Sequence, residues 1–226
     1  MRNLEKINKQ EVFRYLGAKG GEMSDSIMKM VDLCIQKVIE NDRSRYVYKE
    51  FPLRSQNGSL YLEGTSFHLQ GMDIGRLLKE CHSVLLIAVT LTEAADRWIR
   101  REQIKDMARA VVMDACCSVA VEAVCDQVQA DLAEVYEKKG RYLTDRFSPG
   151  YGDMPLNQQA DVIDALDANR RIGLTLSESH LLIPTKSITG IVGIANSPQP
   201  QKIRGCAFCL MKNHCVYRKK GVRCYE

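Results

Sequence analysis

The chain has 226 residues, 45% of them hydrophobic and 27% charged, which supplies a sizeable core and argues against wholesale disorder. Its longest aliphatic run, VLLIAV at 84–89, is far too short to span a bilayer, and the charged N-terminus lacks a signal-peptide core, so a cytoplasmic protein with no membrane association is expected. The net charge of +4 is uneven: from Gln199 onward seven basic side chains stand against one acidic, so the body is slightly acidic and any nucleic-acid argument is confined to the tail.

Asn8 followed by Glu11 reads as a capping box that opens a short helix ending at Gly17. A second helix is predicted from about Ser24, with Ile27, Met30, Val31, Cys34, Ile35, Val38 and Ile39 at helical spacing. YVYKEFPLR and SLYLEG, around SQNG at 55–58, form a hairpin signal. MDIGRLLKEC at 72–81 reads as a short helix and HSVLLIAVTL at 82–91 as a fully buried strand. The longest helical pattern runs from about Glu93 to Lys139, with a break expected near Arg101 and a stop at Gly140. After the stretch RFSPGYGDMPLNQQ at 146–159, Leu156–Ala168 carries a helical stripe, and IGLTLSESHLLIPTKSITGIVGIAN has strand composition. NSPQPQK at 196–202 is a linker, which divides the chain into a body at 1–195 and a cysteine-rich basic tail at 203–226. The expected class is α+β, with mixed helices around a bent, largely antiparallel sheet.

Two features raise a functional question. At about 100° per residue, Ile104, Val111, Ala115 and Glu122 fall in nearly one direction on the long helix, with Asp126 about 40° away. A carboxylate on a buried stripe must be paired, hydrogen-bonded or bound to a ligand, unless burial ends before residue 122. The second feature is the loop itself. Pro149-Gly150 is either a tight corner, with Arg146 in a surface ion pair and Tyr151 as packing, or a cradle whose glycine lets backbone approach a ligand.

The loop RFSPGYGDMPLNQQ, the strand and turn GLTLSES at 173–179, and PTKSITG at 184–190 occur in order and with family-like spacing. In this the chain resembles the activation domain of cobalamin-dependent methionine synthase. The likeness covers roughly residues 80–195 and stops at the linker. It implies a domain that binds S-adenosylmethionine and takes part in the reductive methylation of cob(II)alamin, with an electron from a low-potential donor. It also implies that Arg146 meets the carboxylate end of the ligand and that Glu122 is placed at the same site. A guanidinium suits a carboxylate in a two-pronged contact, and a carboxylate suits the ammonium and sulfonium groups. On this reading the Pro149-Gly150 turn offers backbone N–H and C=O groups to the adenosine, and Tyr151 stands at the mouth of the site.

The chain has no room for a cobalamin-binding module, so the resemblance implies action in trans on a separate corrinoid-binding methyltransferase or a truncated methionine synthase. The alternative is a non-catalytic module that caps a corrinoid protein while its tail holds structural zinc. In the tail, Cys206 and Cys209 form a Cys-x-x-Cys start, followed by Cys215 and Cys224. Four such thiolates suit an iron–sulfur cluster or zinc, with His214 as a substitute ligand; free thiols on a basic extension are the plain alternative. A cluster on a tether would suit electron delivery, and Lys219 and Lys220 would help to dock an acidic partner. With Phe208, Tyr217 and Tyr225 as its only aromatics, the tail is poorly equipped to stack on bases. The remaining cysteines (Cys34, Cys81, Cys116, Cys117 and Cys125) read as small buried hydrophobes.

Overall fold

Asn8 opens α1 (Lys9–Tyr15) by accepting the N–H groups of Gln10 and Glu11 at 3.0 and 3.4 Å. The expected box is only half formed, because the Glu11 carboxylate turns to Arg14 at 2.7 Å instead. Ser24 caps α2 (Asp25–Glu40), which buries Val31, Cys34 and Val38. These local signals survive folding because each is settled within one turn of chain. The computed structural model describes residues 4, 6–17, 23–56 and 58–199. Cys206, Cys209, Cys215 and Cys224, with the metal reading attached to them, lie outside the described residues.

The remaining elements are β1 (Arg45–Gln56), β2 (Ser59–Leu62), β3 (His68–Leu69), α3 (Met72–Leu77), β4 (Cys81–Thr90), α4 (Thr92–Lys105), α5 (Met107–Glu137), β5 (Tyr142–Phe147), a 3-10 turn (Leu156–Gln158), α6 (Gln159–Leu166), α7 (Ala168–Ile172), β6 (Thr175–Leu176), β7 (Leu182–Ile183) and β8 (Ser187–Ala195). Six strands form one sheet in the order β3-β2-β1-β4-β8-β5, and β6 pairs with β7. The β1–β2, β2–β3, β5–β8 and β6–β7 pairings are antiparallel, so the expected α+β class holds. The hairpin stands where it was predicted, with Gln56 opposite Ser59 and Gly58 at φ 80°. Strands β3 and β5 were not anticipated. The first is two residues long, and the second hides in the charged run RYLTDRF.

The chain divides into two compact units. The first comprises the chain up to Tyr48, Ile87–Leu132 and Ile163–Thr189. Here the long helical pattern breaks at Asp106, not near Arg101. Asp106 is extended (φ −158°, ψ 107°), ends α4, and caps α5 by accepting the N–H groups of Ala108 and Arg109 at 2.9 and 3.3 Å. The break corrects the buried-stripe reading. Ile104 lies on α4 and cannot set a phase for α5; it is 88% exposed, Val111 is 53% exposed, and of the three only Ala115 is buried. Among the described residues the deeply buried carboxylate is Glu102, 6% exposed, which accepts from Lys37 Nζ at 2.9 Å and lies 3.4 Å from Arg109 Nε. The Lys37 ammonium holds its carboxyl below the usual range. Cys34, Cys116, Cys117 and Cys125 are buried, as expected; burial raises the thiols of the first three, that of Cys117 to about 12. They behave as small apolar fillers, not nucleophiles.

The second unit comprises Lys49–Leu86, Ala133–Val162 and the chain from Gly190 to the end of the described residues. Its polar anchor is Glu50, which pairs with Arg141 and accepts from Ser83 Oγ and Tyr136 OH, each at 2.8 Å. Burial alone would raise the carboxyl, but the hydrogen bonds from Arg141, Ser83 and Tyr136 outweigh it and hold the group at about 2. A carboxyl depressed in the folded state stabilises the protein above the ordinary carboxylate range and loses that contribution as pH falls towards 2. Replacing Glu50 with Gln is expected to cost about 1–2 kcal/mol at pH 7, screening included, because the side chain is about a third exposed. Urea unfolding should show this deficit shrinking by pH 2.5; a gap unchanged with pH would assign it to packing.

Candidate functional site

The site grows from an irregularity in β5. Leu143 pairs with Ile194, yet Arg146 pairs with Val192, so β5 carries one extra residue between them. Such a bulge bends a strand and re-aims its side chains. Thr144 fixes it: its buried hydroxyl accepts the Gly193 N–H at 2.8 Å and donates to the Asp145 carbonyl at 2.9 Å. Arg146 emerges half-buried, with its stem lying over Gly190 of β8.

Directly after β5 the chain makes two tight turns. The Tyr151 N–H donates to the Ser148 carbonyl at 3.0 Å, with buried Pro149 second and Gly150 third at φ 85°, the arrangement of a type II turn. The Met154 N–H then donates to the Tyr151 carbonyl at 3.0 Å around Gly152 at φ 54°. Gly150 N–H donates to the Met154 carbonyl at 3.0 Å and closes the loop on itself. This narrows the expectation drawn from the sequence. The N–H groups of Gly150 and Tyr151 are engaged inside the loop, so a ligand there would meet carbonyl oxygens and side chains instead. Tyr151 is 54% exposed and stands edge-on to the buried ring of Phe147, with centroids 6.2 Å apart.

Asp153 ties this loop to α3. Its carboxylate accepts the Met72 N–H at 2.6 Å and the Asp73 N–H at 3.0 Å, and those backbone bonds hold its carboxyl below the usual range. Contact this close needs glycine on both sides. A Cβ at Gly71 would lie 2.7 Å from Asp153 Oδ1, and one at Gly152 would lie 2.7 Å from Asp73 Oδ2. Gln158, which is buried, adds a second tie by accepting the Gln70 N–H at 2.9 Å and donating to the His68 carbonyl.

Of the residues singled out from sequence, Arg146, Pro149, Gly150 and Tyr151 form one continuous strand and turn in the second unit. Glu122 belongs to the first unit, half-buried on α5. Sequence reasoning missed Thr144, Asp153, Gln158 and Gly190. Gly190 was visible as the last residue of PTKSITG, and Asp153 as the acid after a turn glycine. What escaped notice was their partners, which lie far off in sequence.

No group of three or more His, Cys, Asp or Glu side chains that could hold a metal ion occurs among the described residues, and no described helix is long and apolar enough to cross a membrane. The α+β fold is shared with the crystal structure of the MetH reactivation domain bound to AdoHcy, at a TM-score of 0.67 over 96% of this chain and 82% of that one, with 14% sequence identity. By architecture the protein thus has the same kind of α+β fold as that domain. Residues 84–202, more than half of the chain, match the family model for the vitamin B12 dependent methionine synthase activation domain, and the chain belongs to that family. No curated protein matches it.

Proposed function

We propose that this protein binds S-adenosylmethionine and reactivates, in trans, a cobalamin held by a separate corrinoid methyltransferase or shortened methionine synthase. The observation that carries the reading is the half-buried Arg146, held over a strand glycine beside a turn that presents an exposed tyrosine. Its planar fork suits the ligand's carboxylate. The Pro149-Gly150 turn keeps its own donors engaged and so sets a fixed edge for the adenosine, while Tyr151 offers a ring face to the ligand or to the arriving corrinoid. Glu122 is assigned to the cationic end by the family resemblance. Bound S-adenosylmethionine supplies the methyl group, a low-potential donor supplies the electron that reduces cob(II)alamin, and methylcobalamin and S-adenosylhomocysteine result. In the same reading the tail cysteines Cys206, Cys209, Cys215 and Cys224 hold an iron–sulfur cluster or zinc.

Calorimetric titration of S-adenosylmethionine into anaerobically purified protein is expected to give saturable one-site binding, with S-adenosylhomocysteine competing. No heat from a folded sample would overturn the ligand assignment and favour the capping module. Iron and zinc analysis of the same sample decides the tail.

A further inference from the structure

We propose that Gly190 is the positioning residue that fixes the direction of the Arg146 guanidinium. Glycine inside a buried strand gives up side-chain packing and marks a place where another group comes close. Here the approaching group is identified. The three nearest atoms to a Cβ built on Gly190 all belong to Arg146: Cγ at 2.5 Å, Cδ at 2.6 Å and Nε at 3.8 Å. Real Cβ contacts do not come that close, and Cγ and Cδ belong to the root of the side chain, so no swing of the tip alone would relieve the overlap.

The register explains the path of the stem. Arg146 stands opposite Val192 and Phe147 opposite Ile191, so Gly190 lies diagonally across, in the direction in which β5 runs on to Ser148. Diagonal positions two residues apart share a face of the sheet. Arg146 therefore leans forward over Gly190 and carries its head towards the Ser148–Tyr151 turn. The bulge held by Thr144 sets the starting point, and the missing side chain at residue 190 keeps the lane open. A methyl group there would drive Arg146 out of this rotamer and turn the guanidinium away from the turn.

The contact stands on geometry alone; its consequence for binding rests on the ligand reading above. The test is a double-mutant cycle of wild type, Gly190→Ala, Arg146→Ala and the double variant, followed by urea unfolding and by S-adenosylmethionine calorimetry. Gly190 does not occupy the left-handed region, so alanine suits its backbone and reduces the freedom of the unfolded chain. In the wild-type background Gly190→Ala is expected to lower the unfolding midpoint and to weaken binding about 3- to 10-fold, the range of an off-rotamer side chain. In the Arg146→Ala background the same change should leave the midpoint unchanged or raise it. Equal destabilisation in both backgrounds overturns the proposal, as does wild-type affinity in Gly190→Ala. Wild-type protein that takes up no S-adenosylmethionine defeats the ligand reading, and the unfolding cycle still decides the contact. Gly193→Ala is the packing control: its Cβ would meet Cys81 Sγ at 2.5 Å and Leu78 Cδ2 at 2.7 Å, so it should destabilise whatever stands at residue 146.

Discussion

Arg146→Ala is expected to weaken S-adenosylmethionine binding by about 100-fold while the protein stays folded. Two charge-assisted hydrogen bonds to one carboxylate account for about 3 kcal/mol, which is about two decades in affinity. The fold should tolerate the loss, because Arg146 is only half-buried. Arg146→Lys should fall between the two. Lysine keeps the charge but presents a point donor in place of a fork, and it makes a different path across Gly190. The measurement pairs calorimetry with circular dichroism melting on the same samples. Loss of binding with an unchanged melting profile supports the ligand role. A variant that unfolds returns Arg146 to a structural ion pair and Pro149-Gly150 to an ordinary corner.

The parts of this molecule that were legible from sequence are those settled within a few residues. Asn8 and Ser24 announce helix starts because their side chains cap the next turn. The 173–195 segment was recognisable by composition, and the Pro149-Gly150 turn by the backbone angles that only its residues adopt easily. The helix break shows where such reading fails. Nothing in WIRREQIKDMARA forces a stop, since Asp106 is a poor helix former only by a small margin. The break follows from a capping choice at Asp106 together with the tertiary pairing of Glu102 with Lys37 and its approach to Arg109. Because the chain turns at Asp106, the helical phase does not run through it, and Ile104 stands in solvent. Strand β5 was missed for a related reason. Its alternation is disturbed by the extra residue of the bulge, and that same disturbance aims Arg146. The functional loop was thus visible as a motif, while its supports were not. Gly190, Thr144 and Asp153 each act on a partner between 44 and 81 residues away, which no local pattern reports.

Asp153→Ala tests the most distant of those supports, and the expected result is a weaker ligand site without loss of any ligand-contacting group. In the folded protein the Asp153 carboxylate holds the N–H groups of Met72 and Asp73, and glycines at 71 and 152 let the two segments meet. Removing it leaves the Gln158 bonds to Gln70 and His68 as the tie between the two segments, and nothing in those bonds holds the Ser148–Asp153 loop itself. The loop would then be ordered by the ligand on binding. Fixing one or two backbone positions again should weaken S-adenosylmethionine binding about 10- to 30-fold. Asp153→Asn keeps an acceptor oxygen for one of the two N–H groups and should recover most of the affinity. Hydrogen exchange separates this from a general loss of stability: the amides of Met72, Asp73, Gly150 and Tyr151 should exchange faster in the alanine variant, while those of β4 keep their protection. Uniformly faster exchange across β4 would show that Asp153 supports the unit as a whole. Unchanged exchange and affinity would show that the turn holds its shape through Gly150, Tyr151 and Met154 alone.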